Sequence, residues 1–196
     1  MKKSEKSERI LDVALTLLKN EGDYGVTMRR VAAGANMTLS NVQYYFKNKD
    51  NLLVALADRY FQSCLAEMRE MPKLTSHDTL TEDLKSLVKS FLCHGLELTE
   101  MCRIFREYWA ISTRNEAIEQ YLKAYYQSSA QVLNAIFSPV AATSENVTKA
   151  IALFVPYVEG YSITATSLTT DFEDDVKEMS DLLRMILLLG LIPKRE

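Results

Sequence analysis

A short segment, residues 37–46, concentrates side chains that can bond to nucleic-acid bases and phosphates. It reads MTLSNVQYYF, with Gln43 and Tyr44 near its end, where a buried helix would carry leucines. A glutamine amide can bond the N6/N7 edge of adenine in a bidentate manner, and a tyrosine hydroxyl can reach a phosphate or a base edge. Leu39 and Ser40, one turn earlier, could contact a thymine methyl and a phosphate or base edge. The pattern therefore predicts a helix whose polar face meets duplex DNA.

Several neighbouring residues also have a purely structural interpretation. Thr27 and Thr38 are typical helix N-caps with or without DNA, so a DNA contact would be an additional role. Phe46 extends the apolar side formed by Val42 and is expected in the core. Arg29 could contact DNA or belong to a solvated charged face.

Basic residues follow the segment. Lys47 and Lys49 flank the expected start of a fourth helix, where free backbone N–H groups already favour a phosphate. Residues 1–50 carry a net charge of +3, whereas the rest of the chain carries −6, within a total of −3. A basic front on an acidic body indicates a local anion-binding surface and argues against general adhesion to polyanions.

Apolar spacing predicts helices along almost the whole chain, without sustained strand alternation. We expect nine helices, with Gly22 as the stop of the first and Pro72 as the stop of the fourth. Pro156 falls inside the eighth helix, where a kink or break is expected. The later helices are predicted at roughly 79–99, 101–112, 115–137, 145–168 and 173–190. The expected fold is all-α, with a three-helix domain over residues 1–50 and a helical bundle over residues 51–196.

The second and third helices are expected to form a helix-turn-helix. Ala32 and Ala35 supply the small residues needed where the two helices touch. Asn36 is the most tolerant non-glycine residue for the left-handed position of the turn. In such a pair the second helix lies in the major groove, while the first crosses the DNA backbone.

A resemblance to the tetracycline-repressor (TetR) family of bacterial regulators is carried by residues 27–53, TMRRVAAGANMTLSNVQYYFKNKDNLL. Asn36 departs from the family's usual turn glycine. Gln43 stands where the family often has tyrosine, so the operator sequence is not predicted. The residues that match the family pattern are Thr27, Val31, Ala32, Ala35, Thr38, Tyr45, Phe46, Lys49, Asp50 and Leu52. The resemblance implies phosphate contacts by Thr27, Thr38, Tyr45 and Lys49, and groove contacts by Leu39, Ser40, Gln43 and Tyr44.

The resemblance also implies that the bundle binds a small molecule and forms a homodimer. We expect a transcriptional repressor that binds a palindromic double-stranded DNA operator and is released by an effector of unknown identity. No cofactor is expected. One alternative stays open, a helical protein-interaction module whose helix-turn-helix no longer binds DNA.

Aromatic residues of the bundle, with an acidic residue among them, could line a pocket for a cationic ligand. The segments REYWAISTRNEAI and FVPYVEGYSITA resemble choline-responsive members of the family. Burial in the core is the alternative for each residue. The candidate ligand-binding residues are Met101, Cys102, Phe105, Trp109, Tyr125, Tyr126, Tyr157, Glu159 and Tyr161.

The last two helices are candidates for the dimer interface, because each carries an apolar stripe. The alternative is that both stripes face the core of their own chain. The first stripe consists of Ile151, Phe154, Val155 and Val158, and the second of Val176, Met179, Leu182, Leu183, Ile186 and Leu189.

Enzymatic, metal-binding and membrane functions are not expected. His77 and His94 are isolated, and no phosphate-binding glycine loop or GxSxG motif is present. Three unevenly spaced cysteines without a CxxC motif suit a reducing cytoplasm. The most apolar run, MILLLGLIP from Met185, is too short to span a bilayer, and the N-terminal segment does not resemble a signal peptide. We therefore expect a cytoplasmic protein.

Overall fold

The computed structural model describes residues 3–97, 99–168 and 171–190. These residues form nine helices and no strand, which confirms the expected all-α fold. The helix boundaries lie close to those predicted from apolar spacing. The helices are α1 (Lys3–Gly25), α2 (Met28–Gly34), α3 (Leu39–Tyr45), α4 (Lys49–Glu70), α5 (Leu80–Leu96), α6 (Glu100–Ser112), α7 (Glu116–Phe137), α8 (Ser144–Leu168) and α9 (Phe172–Leu189).

The chain divides into two compact units. The first unit contains the chain up to Ala66 together with Arg103–Tyr126, and the second contains Glu67–Cys102 together with the chain from Gln127 onward. Helices α1 to α3 therefore share a unit with most of α4, most of α6 and the first half of α7. Compactness does not locate a DNA-binding segment, so the functional boundary at residue 50 stays a prediction.

Phe61 of α4 is the centre of the first unit's core. Its ring lies 4.7 Å from the ring of Phe105, 5.2 Å from that of Tyr108 and 4.8 Å from that of Tyr125, measured between centroids. Phe61 and Tyr108 are completely buried. The Tyr108 hydroxyl donates a hydrogen bond to the Leu53 carbonyl (2.9 Å), which satisfies its polar atom in the core.

The first helix changes direction at Gly22. Its backbone there has φ 67° and ψ −167°, which is not helical and is a conformation that only glycine adopts readily. A Cβ added at Gly22 would lie 3.0 Å from Oε2 of Glu107. Gly22, predicted as the end of the first helix, is therefore a break within α1. The helix continues for three residues beyond it and ends at Gly25.

Helices α5, α8 and α9 pack together in the second unit. Gly95 of α5 allows a close crossing, because a Cβ at this position would lie 2.8 Å from the Cα atom of Ser162 in α8. The Leu187 carbonyl near the end of α9 accepts hydrogen bonds from the Ala142 backbone and the Asn146 side chain. These contacts join the start of α8 to the end of α9.

A kink or break is expected at Pro156, and the structure shows no break there. Helix α8 runs continuously from Ser144 to Leu168 with Pro156 inside it. A proline leaves the carbonyl four residues earlier without its helical donor. Here that carbonyl belongs to Ala152, and both Ala152 and Pro156 are exposed, so water can bond to it.

Candidate nucleic-acid interface

A left-handed residue joins α2 to α3, as the sequence predicted. Asn36 has φ 55°, and among the described residues other than glycine it alone has a positive φ. The Met37 amide donates to the Ala32 carbonyl (2.9 Å) and closes the turn. Ala35 and Val42 are buried, and α3 packs against α2.

Side-chain caps start the three helices that frame this surface. The Thr27 hydroxyl accepts a bond from the Arg30 amide (3.3 Å), and the Thr38 hydroxyl accepts one from the Asn41 amide (3.2 Å). The Asn48 side chain caps α4 by accepting from the Asn51 amide (2.9 Å). A threonine hydroxyl that accepts from the backbone keeps its own O–H, so capping and donation to a phosphate are compatible.

The orientation of α3 leaves a polar face exposed. Val42 and Phe46 are buried, as predicted, whereas Ser40 and Gln43 are exposed and 70% of the Tyr44 surface is accessible. Leu39 and Tyr45 are half-buried. The rings of Tyr44 and Tyr45 are perpendicular, with their centroids 5.3 Å apart. The side chains predicted to reach DNA are therefore accessible, and their contacts with DNA stay predictions.

The basic residues differ in their surroundings. Arg29 and Lys47 are exposed, as is Arg30, which forms an ion pair with Glu21 of α1. Lys49 is half-buried, and its ammonium lies 2.6 Å from Oδ1 of Asp23 and 2.7 Å from the Asp23 carbonyl oxygen. The sequence interpretation treated Lys49 as a residue that contacts phosphate alone and did not anticipate this pairing.

Asp23 is a charged residue that the sequence interpretation missed. Its side chain is 13% exposed and also pairs with Arg114, whose Nη2 lies 3.0 Å from Oδ2. Burial by itself would raise the pKa of Asp23, but hydrogen bonds from Lys49 and Arg114 outweigh burial and lower the pKa below its usual value. No local motif marks Asp23, because its partners lie 26 and 91 residues away along the chain.

Four of the candidate ligand residues lie in the first unit. Phe105 and Tyr125 pack against Phe61, and Tyr125 is buried. Trp109 is 46% exposed and donates a hydrogen bond from Nε1 to the Tyr126 hydroxyl (3.0 Å). Phe105 and Tyr125 thus belong to a packed core cluster, and a role in ligand binding stays a prediction for all four residues.

The other five candidates lie in the second unit. The Tyr157 and Tyr161 rings stack at 5.8 Å, and the Tyr161 hydroxyl donates to Oδ2 of Asp175 (3.0 Å). Asp175, which the sequence analysis did not single out, thus provides a carboxylate that is bonded to the Tyr161 hydroxyl. Met101 is half-buried, and the buried Cys102 thiol contacts the Ser162 carbonyl (3.5 Å).

A cavity of about 180 Å³ lies between α1 and α6 in the first unit. None of its lining residues belongs to the predicted ligand set. They are Leu18, Lys19, Arg103, Ile104, Arg106 and Glu107.

The residues of the predicted dimer stripes divide into buried and accessible ones, and the interface itself stays a prediction. Half of the ten side chains are buried within their own chain, as the alternative interpretation held for all of them; these are Phe154, Val176, Met179, Leu183 and Ile186. An apolar stripe covers its own core first, and sequence periodicity does not distinguish that core from an interface. The exposed large apolar side chains of α8 and α9 are Leu153, Ile163, Leu168, Met185 and Leu189, of which Leu189 belongs to the second predicted stripe.

The described residues contain neither a metal-binding cluster nor a membrane-spanning helix. No group of three His, Cys, Asp or Glu side chains is arranged to hold a metal ion within residues 3–97, 99–168 and 171–190. No helix in the same ranges is long and apolar enough to cross a membrane.

Two short helices joined by a tight turn, the second with an exposed polar face, define the helix-turn-helix class of DNA-binding proteins. Residues 10–56 match the family model for bacterial regulatory proteins, tetR family. The chain is 55% identical over 168 residues to the uncharacterized HTH-type transcriptional regulator in the dhlA 5′ region of Xanthobacter autotrophicus, covering 86% of this chain and 83% of that relative. The chain belongs to the tetR family and is a transcriptional regulator, not an enzyme.

Solved structures share the fold at low sequence identity. GusR of Salmonella enterica superposes with a TM-score of 0.71 at 16% identity, over 95% of this chain and 97% of its own. A transcriptional regulator from Saccharomonospora viridis, solved in complex with choline, superposes with a TM-score of 0.65 at 20% identity, over 91% of this chain and 95% of its own. These likenesses extend the family fold to both units of the chain.

Proposed function

We propose that this regulator is a homodimeric repressor that binds a palindromic operator in double-stranded DNA and releases it when a small molecule binds. The observation that carries DNA binding is the accessible face of α3, where Gln43 and Tyr44 are exposed while Val42 and Phe46 are buried. Operator binding requires access to the chromosome, so the proposed location is the cytoplasm. The residues proposed to contact DNA are Thr27, Arg29, Thr38, Leu39, Ser40, Gln43, Tyr44, Tyr45, Lys47 and Lys49.

The exposed apolar face of α8 and α9 supports dimerisation. Leu153 and Ile163 lie on one face of α8, and Met185 and Leu189 lie one turn apart on α9. A Cβ added at Gly160, on the same face of α8, would meet no described atom within 4 Å, so another helix could approach closely there. Two such helices from each chain would form a four-helix interface, whose two-fold symmetry matches a palindromic operator.

The proposed effector binds the aromatic residues of the bundle, and its identity is unknown. The stacked rings of Tyr157 and Tyr161 with the nearby Asp175 carboxylate combine aromatic faces with a negative charge, a composition that suits an organic cation. A structural relative was solved with choline. Choline is therefore the first candidate effector to add in an electrophoretic mobility-shift assay.

One observation favours the alternative, a helix-turn-helix module that no longer binds DNA. The Lys49 ammonium, proposed to contact a phosphate, is paired with Asp23 in the DNA-free protein. The two functions differ in one measurable property, because DNA binding through phosphates weakens steeply as salt rises.

The experiment is an electrophoretic mobility-shift titration with a pool of random-sequence duplexes and with duplexes selected from that pool by the wild-type protein. Gln43→Ala should weaken binding to the selected duplex by about 1–3 kcal/mol and leave random DNA nearly unchanged, because it removes a base contact. Lys49→Ala should weaken binding to both kinds of DNA and lower the salt slope by about 1.

Lys123→Ala on α7 is the matched control, since it removes the same charge from an exposed position of the first unit. Equal losses on selected and random DNA from Gln43→Ala would refute its role in base reading. A wild-type protein that binds no duplex at low salt would refute DNA binding and leave the interaction module as the function.

A further inference from the structure

The Asp23 carboxylate is the meeting point of three elements of the first unit. It pairs with Lys49 at the first residue of α4 and with Arg114 in the turn between α6 and α7. Its own backbone amide donates to Oε2 of Glu107 in α6 (3.1 Å), directly after the backbone break at Gly22. Because Lys49, Arg114 and Glu107 hold it, Asp23 has a defined position in the DNA-free protein.

This pairing restrains the lysine that the proposed function assigns to DNA. The Lys49 ammonium lies within 2.7 Å of two Asp23 oxygens, and its side chain is only 34% exposed. A DNA phosphate must therefore compete with Asp23 for Lys49. Removing one partner of a buried ion pair is strongly destabilising when the other charge is left without a counterion.

Arg114 supplies the missing counterion. Its Nη2 bonds to Oδ2 of Asp23, the oxygen that Lys49 does not use, and its Nη1 donates to the Ala110 carbonyl (2.8 Å). The guanidinium also lies over the ring of the exposed Tyr24. Arg114 is thus held in place by contacts that do not involve Lys49, and it would remain on Asp23 if Lys49 moved.

We propose that Arg114 is a positioning residue for DNA binding: by neutralising Asp23, it allows Lys49 to transfer from Asp23 to a phosphate. The inference rests on the proposed function and deepens it. In the DNA-free protein, Asp23 shares its charge between two cations. In the complex, Arg114 alone pairs with Asp23, and Lys49 pairs with DNA.

The consequence is that the α6–α7 turn sets the DNA affinity from outside the helix-turn-helix. Asn115 of the same turn donates to the Asp50 carboxylate (2.7 Å), which gives the turn a second contact with the start of α4. Any change that withdraws Arg114 from Asp23 would strengthen the hold of Asp23 on Lys49. The affinity for DNA would then fall without a change in the residues that face the bases.

A double-mutant cycle tests this inference on random-sequence duplexes, because a phosphate contact does not require the operator. Affinities are measured by filter binding at roughly 50 mM NaCl, where phosphate contacts are strong. Arg114→Gln should weaken binding about fivefold, since Asp23 is left with Lys49 alone. Lys123→Gln, the matched loss of one exposed charge, should weaken it less than about twofold.

Asp23→Asn should tighten binding about threefold by releasing Lys49, and adding Arg114→Gln in that background should change the affinity less than about twofold. Such non-additivity would support the inference. The inference would be overturned if Arg114→Gln changed the DNA affinity equally with and without Asp23→Asn. It would also be overturned if Arg114→Gln and Lys123→Gln weakened DNA binding equally.

Two further results separate the failure of this inference from that of the proposed function. Wild-type protein that binds random duplexes with additive mutational effects overturns the inference alone. Wild-type protein that binds no duplex overturns both. If Asp23→Asn does not fold, the comparison of Arg114→Gln with Lys123→Gln decides, because the Arg114 side chain is 46% exposed and its replacement leaves the core intact.

Discussion

Asn36 carries the left-handed backbone conformation on which the turn between α2 and α3 depends. A residue with a Cβ is strained at a positive φ, and asparagine tolerates it better than other side chains. Asn36→Ala should lower the free energy of unfolding by about 1 kcal/mol, whereas Asn36→Gly should leave it unchanged or raise it slightly. Urea denaturation followed by circular dichroism measures both.

Asn41→Ala provides the control for this change, because it makes the same substitution within the regular turns of α3. Because alanine has a higher helix propensity than asparagine, the free energy of unfolding should be equal to or slightly above that of the wild type. A loss from Asn41→Ala as large as that from Asn36→Ala would contradict the role of φ at Asn36.

Single residues were predictable where their chemistry is local. The roles of Asn36 in the turn and of Thr27 and Thr38 as caps followed from neighbours within four positions, and the structure confirms them. The pairing of Lys49 with Asp23 was not predictable. It depends on the path of the chain through the break in α1 and on the approach of α6, which no local pattern encodes.

At the scale of helices, the break in α1 determines where Asp23 is placed. Gly22 has a backbone conformation that side chains with a Cβ rarely adopt, and Glu107 occupies the space beside it. Gly22→Ala should lower the free energy of unfolding by about 1–3 kcal/mol. Gly160→Ala, inside α8, should instead raise it by up to about 1 kcal/mol in protein dilute enough to be monomeric, where no partner helix lies against Gly160.

These two glycines form a matched pair, since the same methyl group is added at both positions. The free energy of unfolding is expected to change in opposite directions. Chemical denaturation at a protein concentration below that at which the dimer forms gives both values. If both variants lower the free energy of unfolding equally, the loss at Gly22 does not come from its positive φ.

Helix positions were predictable because apolar periodicity, caps and prolines act within a few turns. Pro156 shows the limit of such rules. Its ring removes one helical bond, but the affected carbonyl is at an exposed position and the apolar side of α8 stays packed against α5 and α9. Packing and solvation that involve distant segments therefore outweighed the local preference for a break.

For the molecule as a whole, the main feature is the apolar face of α8 and α9, which stays exposed to solvent in the single chain. Ile163 is 62% exposed on α8. Ile163→Glu should convert the proposed dimer to monomer, because a charge at the centre of an apolar interface loses its hydration. Light scattering coupled to size-exclusion chromatography measures the mass, with twice the chain mass expected for the wild type.

Ala117→Glu adds the same charge to an exposed position of α7 in the first unit and should leave the dimer unchanged. Helical content by circular dichroism should stay the same in both variants. A folded Ile163→Glu variant that keeps the wild-type mass would exclude this face as the interface.

The sequence predicted the class of fold and the accessible face of α3, but it did not separate core from interface in the bundle. Phe154 and Leu183 lie on apolar stripes and are buried in their own chain, whereas Leu153 and Met185, at neighbouring positions, are exposed. Periodicity shows that a helix has an apolar side. Only the packing of α5, α8 and α9 shows how much of that side one chain can cover.

Trp109 gives the protein a built-in optical reporter. It is the chain's single tryptophan, and its indole N–H is bonded to the Tyr126 hydroxyl across α6 and α7, five residues before Arg114. Intrinsic emission from unlabelled protein therefore has one tryptophan source, located beside the turn that holds Asp23. A shift of α6 against α7 would alter the polarity around that ring, and a spectrometer would register it without any dye or tag.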